Sequence, residues 1–220
     1  MLTAPDWALG SRYLRENAPE LIPFIEKYGP CNLQPEAPEK YFGTLVTGII
    51  SQQLPPDVSL AMVKRLEETV GTPITPEAIV SAAESDLCSC GIMPQKVMYL
   101  KGFAEAVLNG EVTMDKFAGM TDSEITKQLI KIKGLGQWTA EMFLLLALCR
   151  TDIAPTADFI FQKRVKEIFN LNAMPKRKQI LELTEHWRPW RSLAVWYLWE
   201  GEKTKKQKEK TAKRGLTCGS

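Results

Sequence analysis

The sequence predicts an all-α protein. Apolar residues recur at helical spacing in nearly every segment, strand-like alternation is nowhere sustained, and proline or glycine stops separate the periodic stretches. At 220 residues the chain can bury one large core or two smaller ones.

The elements follow in order. Asp6 to Asn17 and Pro19 to Tyr28 read as two short helices, the second ended by Gly29-Pro30. Cys31 to Glu39 is a proline-containing connector, and a composition change there marks a boundary. Phe42, Leu45, Val46, Ile49 and Ile50 then give an amphipathic helix stopped by Pro55-Pro56. Asp57 is expected to cap a helix carrying Leu60, Val63, Leu66 and Val70 inward, with Gly71 as its stop. Thr75-Pro76 starts a helix through Ala83, Ser85 to Ser89 another, and Pro94 to Asn109 a longer one ended by Gly110. Past residue 150, Thr156 is expected to cap Ala157 to Phe169, bearing Phe159, Ile160, Val165 and Ile168. Pro175 to Trp187 and Pro189 to Trp199 complete the set. Short helices with small connectors fit an all-α architecture.

One stretch is more specific. Leu129-Ile-Lys-Ile-Lys-Gly-Leu-Gly-Gln-Trp-Thr-Ala-Glu-Met-Phe143 reads as helix, tight glycine turn, helix. Thr121 and Glu124 form a capping-box pattern opening the first helix, Asp122 to Lys131. Gly134 and Gly136 bracket Leu135, and the second helix starts at Gln137 or Trp138. Its first amides have no helical partner and, with the dipole behind them, suit an anion such as phosphate. A plain αα-hairpin inside a helical core explains the same pattern equally well.

Composition excludes several classes. No apolar run approaches the roughly 20 residues that span a bilayer. Met1-Leu-Thr-Ala-Pro-Asp-Trp7 lacks the basic start and apolar stretch of a signal peptide. The net charge is +2, so bulk electrostatics do not announce a polyanion. The charge is uneven, however. A basic tail over 202–220 carries Lys203, Lys205, Lys206, Lys208, Lys210, Lys213 and Arg214, and is expected to be solvated and disordered. Cys31, Cys88, Cys90, Cys149 and Cys218 show no metal-site spacing, which predicts reduced thiols in a cytoplasmic protein. His186 is the one histidine and lies at a helix end, so a structural role is expected and zinc is not.

Asp158, in Ile153-Ala-Pro-Thr-Ala-Asp-Phe-Ile-Phe161, is the acid that stands out. It sits near a helix N-terminus among apolar neighbours, where helix-dipole placement alone would also put it. Asp152 is a weaker candidate in the preceding loop. The aromatic run from Trp187 through Trp190, Trp196, Tyr197 and Trp199 suits core packing, or one ring facing a cleft. The polar residues of Ile50-Ser-Gln-Gln-Leu-Pro55 end an apolar helix and could occupy a base-stack position.

Together, Ile50-Ser-Gln-Gln53, Lys133-Gly-Leu-Gly-Gln-Trp-Thr-Ala140, Asp158 and Trp187-Arg-Pro-Trp-Arg-Ser-Leu-Ala194 resemble the helix-hairpin-helix DNA glycosylase superfamily. The resemblance covers roughly 41–199 and is closest to the 3-methyladenine DNA glycosylase II branch. It implies two helical lobes with a cleft between them: 39–150 as one lobe, and 1–38 with 151–201 as the other. It implies a catalytic aspartate at Asp158 and an aromatic pocket from Trp138 and Trp199. DNA contacts would come from Gln53 or Leu54 as a wedge and from Lys133, Gly134, Gly136, Gln137 and Thr139.

Strand-cleaving relatives carry a lysine where this chain has Trp138, so the resemblance implies a monofunctional hydrolase. The cysteine cluster of iron–sulfur relatives is absent. A monovalent cation, Na+ or K+, would fall on the carbonyls of Ile130, Ile132 and Leu135; no other cofactor is expected. The expected partner is damaged duplex DNA, met by a monomer in the cytoplasm or nucleoid. The expected reaction is hydrolytic release of alkylated purines in base excision repair. A same-fold enzyme for uracil, hypoxanthine or an oxidised or mismatched purine stays open, as does a non-catalytic module that binds damaged DNA.

Overall fold

The computed structural model describes residues 2–202, and every regular element among them is a helix. In chain order these are α1 (Trp7–Asn17), α2 (Ile22–Tyr28), α3 (Tyr41–Ser51), α4 (Pro56–Val70), α5 (Pro76–Ser81) and α6 (Glu84–Ser89). There follow α7 (Pro94–Leu108), α8 (Asp122–Leu129), α9 (Gln137–Leu146), α10 (Phe159–Ile168), α11 (Arg177–Leu183) and a last helix, α12, over 191–202. The basic tail expected from the sequence lies outside the described residues beyond 202. The described residues form two units: 34–149 with residues 2–3, and 4–33 with 150–202.

The first unit is built on α3. Tyr41, Phe42, Leu45, Val46, Ile49 and Ile50 are all buried, and α4, α7 and α9 pack around them. Phe42 stacks on Phe103 at 4.9 Å, while Tyr41 and Phe117 meet Phe143 edge-on. Full burial of such side chains stabilises the fold by roughly 1.5–3 kcal/mol each. The helix α3 runs close to α9 because a Cβ on Gly48 would stand 2.7 Å from the Thr139 methyl. Two lysines of α7 serve as helix caps for other helices. Lys101 Nζ donates to the carbonyls of Ile79, Val80 and Ala82 at the end of α5, and Lys96 does the same for α3.

The second unit contains α12, buried along most of its length, and the fully buried Trp187 and Phe161, whose rings lie 6.4 Å apart. Tyr197 donates its hydroxyl proton to Gly29 O at 3.0 Å, and burial raises the pKa of this phenol. Gly10 lets α1 touch Trp190, whose ring would stand 2.6 Å from a Cβ there. His186 Nε2 and Trp187 Nε1 both meet Glu20 Oε1, at 2.7 and 2.6 Å, which gives the one histidine a structural partner.

Several local expectations need correction. Leu60 is 63% exposed, because the buried stripe of α4 is Ser59, Val63 and Leu66, one residue out of phase with it. Asp57 does not cap that helix; Pro55 holds the cap position, Pro56 follows as the first helical residue, and Asp57 lies in the first turn. Thr156 does not cap α10 either. Its hydroxyl accepts from Arg177, its carbonyl accepts from Gln162 Nε2 at 2.7 Å, and Asp158 takes the cap two residues later. Phe159 then falls on the outer side of α10, 66% exposed, while Phe161 and Val165 turn inward. Glu202 belongs to α12 rather than to a tail, with its carboxylate 3.1 Å from Lys163 Nζ.

Candidate functional site

The hairpin forms as its sequence indicates. Thr121 and Glu124 exchange both capping-box bonds, and those bonds hold the Glu124 carboxyl below its usual pKa range. The helix α8 stops at Leu129, and the chain turns through Gly134 at φ +95°, a conformation that favours glycine. A Cβ on Gly134 would also stand 2.5 Å from Tyr99 Cβ and Cγ. Leu135 is buried as the turn's anchor.

Gly136, extended at φ −97°, precedes α9 without a side-chain cap. The first α9 amide to find a helical carbonyl is that of Ala140, at 3.1 Å from Gly136 O. Those of Gln137, Trp138 and Thr139 have no partner among the described residues. Gly136 is exposed, and a Cβ there would meet nothing within 4 Å, so the approach to these amides is open. That is an anion site in form: unsatisfied N–H groups at the positive end of a helix.

A polar network fixes the turn from behind. Gln52 Nε2 donates to Gly134 O at 2.8 Å and to Thr139 Oγ1 at 3.0 Å. Lys96 Nζ donates to Ile50 O at 2.6 Å and Gln52 O at 2.8 Å, and burial lowers its pKa from the usual lysine value. Gln53, next in the chain, is exposed and held at φ +60°, uncommon for a residue with a side chain. Leu54 is half-buried.

The acid lies in the second unit. Asp158 caps α10, accepting the Phe161 amide on Oδ1 at 2.8 Å. Trp199 of α12 donates its indole N–H to the same oxygen at 3.2 Å. Oδ2 has no partner among the described residues, and the side chain is partly exposed. One oxygen is therefore anchored and the other is free to face a cation or a water. The loop leading to Asp158 is pinned to α12: Ser192 Oγ accepts from Ile153 N at 2.9 Å, and Arg191 grips both carboxylate oxygens of Asp152. Arg188 adds a third bond at 2.9 Å. Asp152 is thus committed to ion pairs, which removes it as a rival acid.

The other sequence candidates fall as follows. Lys133 is exposed on the hairpin turn and Trp138 is half-buried on α9. The Gln137 side chain is occupied by Glu141 at 2.9 Å, and the Thr139 side chain is buried against Gln52 and Gly48, so each offers its backbone amide rather than its side chain. Ile130, Ile132 and Leu135 lie in the turn after α8, and the Ile132 carbonyl accepts the Leu135 amide at 3.0 Å. Among the described residues no cluster of three His, Cys, Asp or Glu could hold a metal ion, and no helix is long and apolar enough to cross a membrane.

Sequence reasoning missed Lys96 and Tyr99, and it did not separate Gln52, whose side chain holds the hairpin turn, from the exposed Gln53. Lys96 and Tyr99 share a face of α7 at i, i+3, but nothing local to that helix reveals what they touch.

Comparison with known proteins shows the family. Residues 46–189 match the HhH-GPD superfamily base excision DNA repair protein family, and the chain belongs to that family. It is 31% identical over 193 residues to DNA-3-methyladenine glycosylase 1 of Schizosaccharomyces pombe, covering 86% of this chain and 84% of that one. It is 30% identical over 181 residues to the alkylbase DNA glycosidase-like protein mag2 of the same organism, covering 80% and 84%. The structure of the S. pombe 3-methyladenine DNA glycosylase Mag1 in complex with abasic DNA matches with a TM-score of 0.79 at 28% identity. That match covers 89% of this chain and 97% of the other.

Proposed function

We propose that this protein is a monofunctional DNA glycosylase that hydrolyses the N-glycosidic bond of alkylated purines, of the 3-methyladenine and 7-methylguanine type, in duplex DNA. The observation that carries the reading is Asp158, a helix-capping carboxylate with one anchored and one free oxygen. The names of the two relatives support the substrate class.

The chemistry follows from these groups. A damaged base leaves the stack at a cost of a few kcal/mol, less than an intact pair requires. Alkylation at N3 or N7 gives the purine a positive charge, so the glycosidic electron pair departs with the base and no general acid is needed. The sugar left behind is oxocarbenium-like. The free oxygen of Asp158 stabilises that charge and orients a water whose oxygen bonds to C1′ while its proton passes to the carboxylate or to solvent. Trp199 offers a π face for a cationic base, worth about 0.5–2 kcal/mol, and its N–H keeps Asp158 aimed.

The open amides of Gln137, Trp138 and Thr139 hold a phosphate, with Lys133 beside them, and Gln53 or Leu54 fills the vacated stack. Trp138 stands where the resemblance puts a strand-cleaving lysine, so hydrolysis ends the reaction. A monovalent cation would be held by the carbonyls of Ile130, Ile132 and Leu135. They follow the C-terminal, dipole-negative end of α8, and Ile132 O keeps one lone pair after its bond to Leu135. The chain acts as a monomer on nucleoid or nuclear DNA.

The test is a chromatographic profile of bases released from DNA treated with a methylating agent and, separately, from duplexes holding uracil, hypoxanthine or oxidised guanine. Release of 3-methyladenine and 7-methylguanine with intact strands supports the reading. Release from the other duplexes alone, or strand cleavage, overturns it.

A further inference from the structure

We infer that Lys96 and Gln52 are positioning residues that hold the exposed Gln53 turn in register with the phosphate-gripping hairpin. This inference rests on the proposed glycosylase reading. The helix α3 ends at Ser51 in a run of apolar residues, and its last carbonyls have no helical amides. Lys96, forty-four residues from Gln52 in sequence, supplies the donors by binding the carbonyls of Ile50 and Gln52 at once. The Gln52 side chain points the other way and clamps Gly134 O and Thr139 Oγ1, the turn and first α9 turn that carry the open amides. One turn further along α7, Tyr99 presses on Gly134 itself.

A single helix therefore braces both ends of the arrangement. The residue left projecting is Gln53, whose left-handed backbone at φ +60° is bounded by the clamped Gln52 and by the Leu54 amide, bound to Ser51 O at 3.1 Å. A protein that grips a phosphate and fills a vacated stack beside it needs a set spacing between those two groups. Here Lys96 and Gln52 set it. The charge of Lys96 explains why a lysine stands there: an ammonium donates to two carbonyls at once, and charge-assisted bonds are stronger than neutral ones.

The experiment uses the full chain, a duplex with an abasic analogue beside 2-aminopurine, and a methylated duplex for single-turnover base release. Lys96→Met and Gln52→Ala are each expected to lose most of the 2-aminopurine unstacking signal and to release base about tenfold or more slower. Affinity for undamaged duplex should stay within about threefold of wild type, since the amides remain. Lys96→Arg should recover much of both losses. The double variant should resemble the worse single one, because both residues act along one chain of contacts.

Unstacking and release within twofold of wild type in the single variants overturn the inference, and so does a double variant whose losses multiply. Gln52→Ala keeps every backbone bond, so it decides the matter if Lys96→Met fails to fold. A wild type that unstacks the duplex without releasing base overturns the glycosylase reading alone. One that does neither overturns both.

Discussion

Gly134 and Gly136 look alike in the sequence, and the structure gives them opposite duties. Gly134→Ala would place a methyl 2.5 Å from Tyr99 Cβ and Cγ on a backbone at φ +95°. The left-handed conformation costs roughly 1–2 kcal/mol for a residue with a Cβ. Overpacking against Tyr99 adds roughly 1–3 kcal/mol, because Gln52 holds the other side of the turn. The sum, about 2–5 kcal/mol, is a large share of a typical domain's 5–15 kcal/mol.

Gly136→Ala meets nothing within 4 Å and keeps an extended φ of −97°, so it loses only cap preference, about 1 kcal/mol or less. Its methyl, however, intrudes on the open approach to the α9 amides. Disturbing one such bond to a charged phosphate, worth about 1.5 kcal/mol, weakens duplex binding roughly tenfold. Urea melts and fluorescence anisotropy on both variants separate the two effects. Equal stability losses, or a Gly134→Ala variant within 0.5 kcal/mol of wild type, on the order of an ordinary surface change, would refute this division of labour.

Other outcomes follow from the second unit. Trp199→Phe keeps a ring but removes the N–H on Asp158 Oδ1; at 3.2 Å that bond is at the weak end, so single-turnover release should slow about tenfold with little change in half-saturating enzyme concentration. Asp152→Ala should destabilise by roughly 1–3 kcal/mol, since it strands Arg191, and with Ser192 still holding the loop before Asp158 release per folded molecule should slow by less than about tenfold; a loss as large as that of Asp158→Asn in correctly folded protein would restore Asp152 as a catalytic candidate. Burial pushes the Cys31 thiol up to about 11 from 9.0, so native protein holds that proton where the unfolded chain does not. Its contribution is therefore intact below pH 9.0 and lost on rising toward about pH 11, on the order of 2 kcal/mol; the slope of stability against pH across that window should flatten in Cys31→Ala.

What the sequence revealed was mostly local. The Thr121–Glu124 capping box, the Thr75-Pro76 and Pro94 starts and the glycine hairpin are short-range chemistry, and each formed where its residues indicated. Helical period also marked α3 as a core element. It could not give the phase of α4, because Leu60 and Val63 fit an apolar stripe as well as Ser59 and Val63 do until packing decides. Thr156 and Asp158 are both good caps, and only the distant Arg177 and the reach of Gln162 show that Thr156 is otherwise employed. Lys96 and Gln52 lay further from view. Their partners sit across the first unit, and no periodicity encodes a contact of that kind.

Asp158→Asn tests the central claim most directly. Asparagine caps a helix as well as aspartate does and can still accept the Phe161 amide, so the variant should fold with stability within about 1 kcal/mol of wild type and bind duplex DNA normally. What it lacks is the negative charge and the free oxygen, whose place an amide NH2 takes. Scored as abasic sites in methylated DNA under single-turnover conditions, release by Asp158→Asn should fall at least about 100-fold. Release at the wild-type rate by the folded variant would contradict the assignment of Asp158 as the catalytic carboxylate.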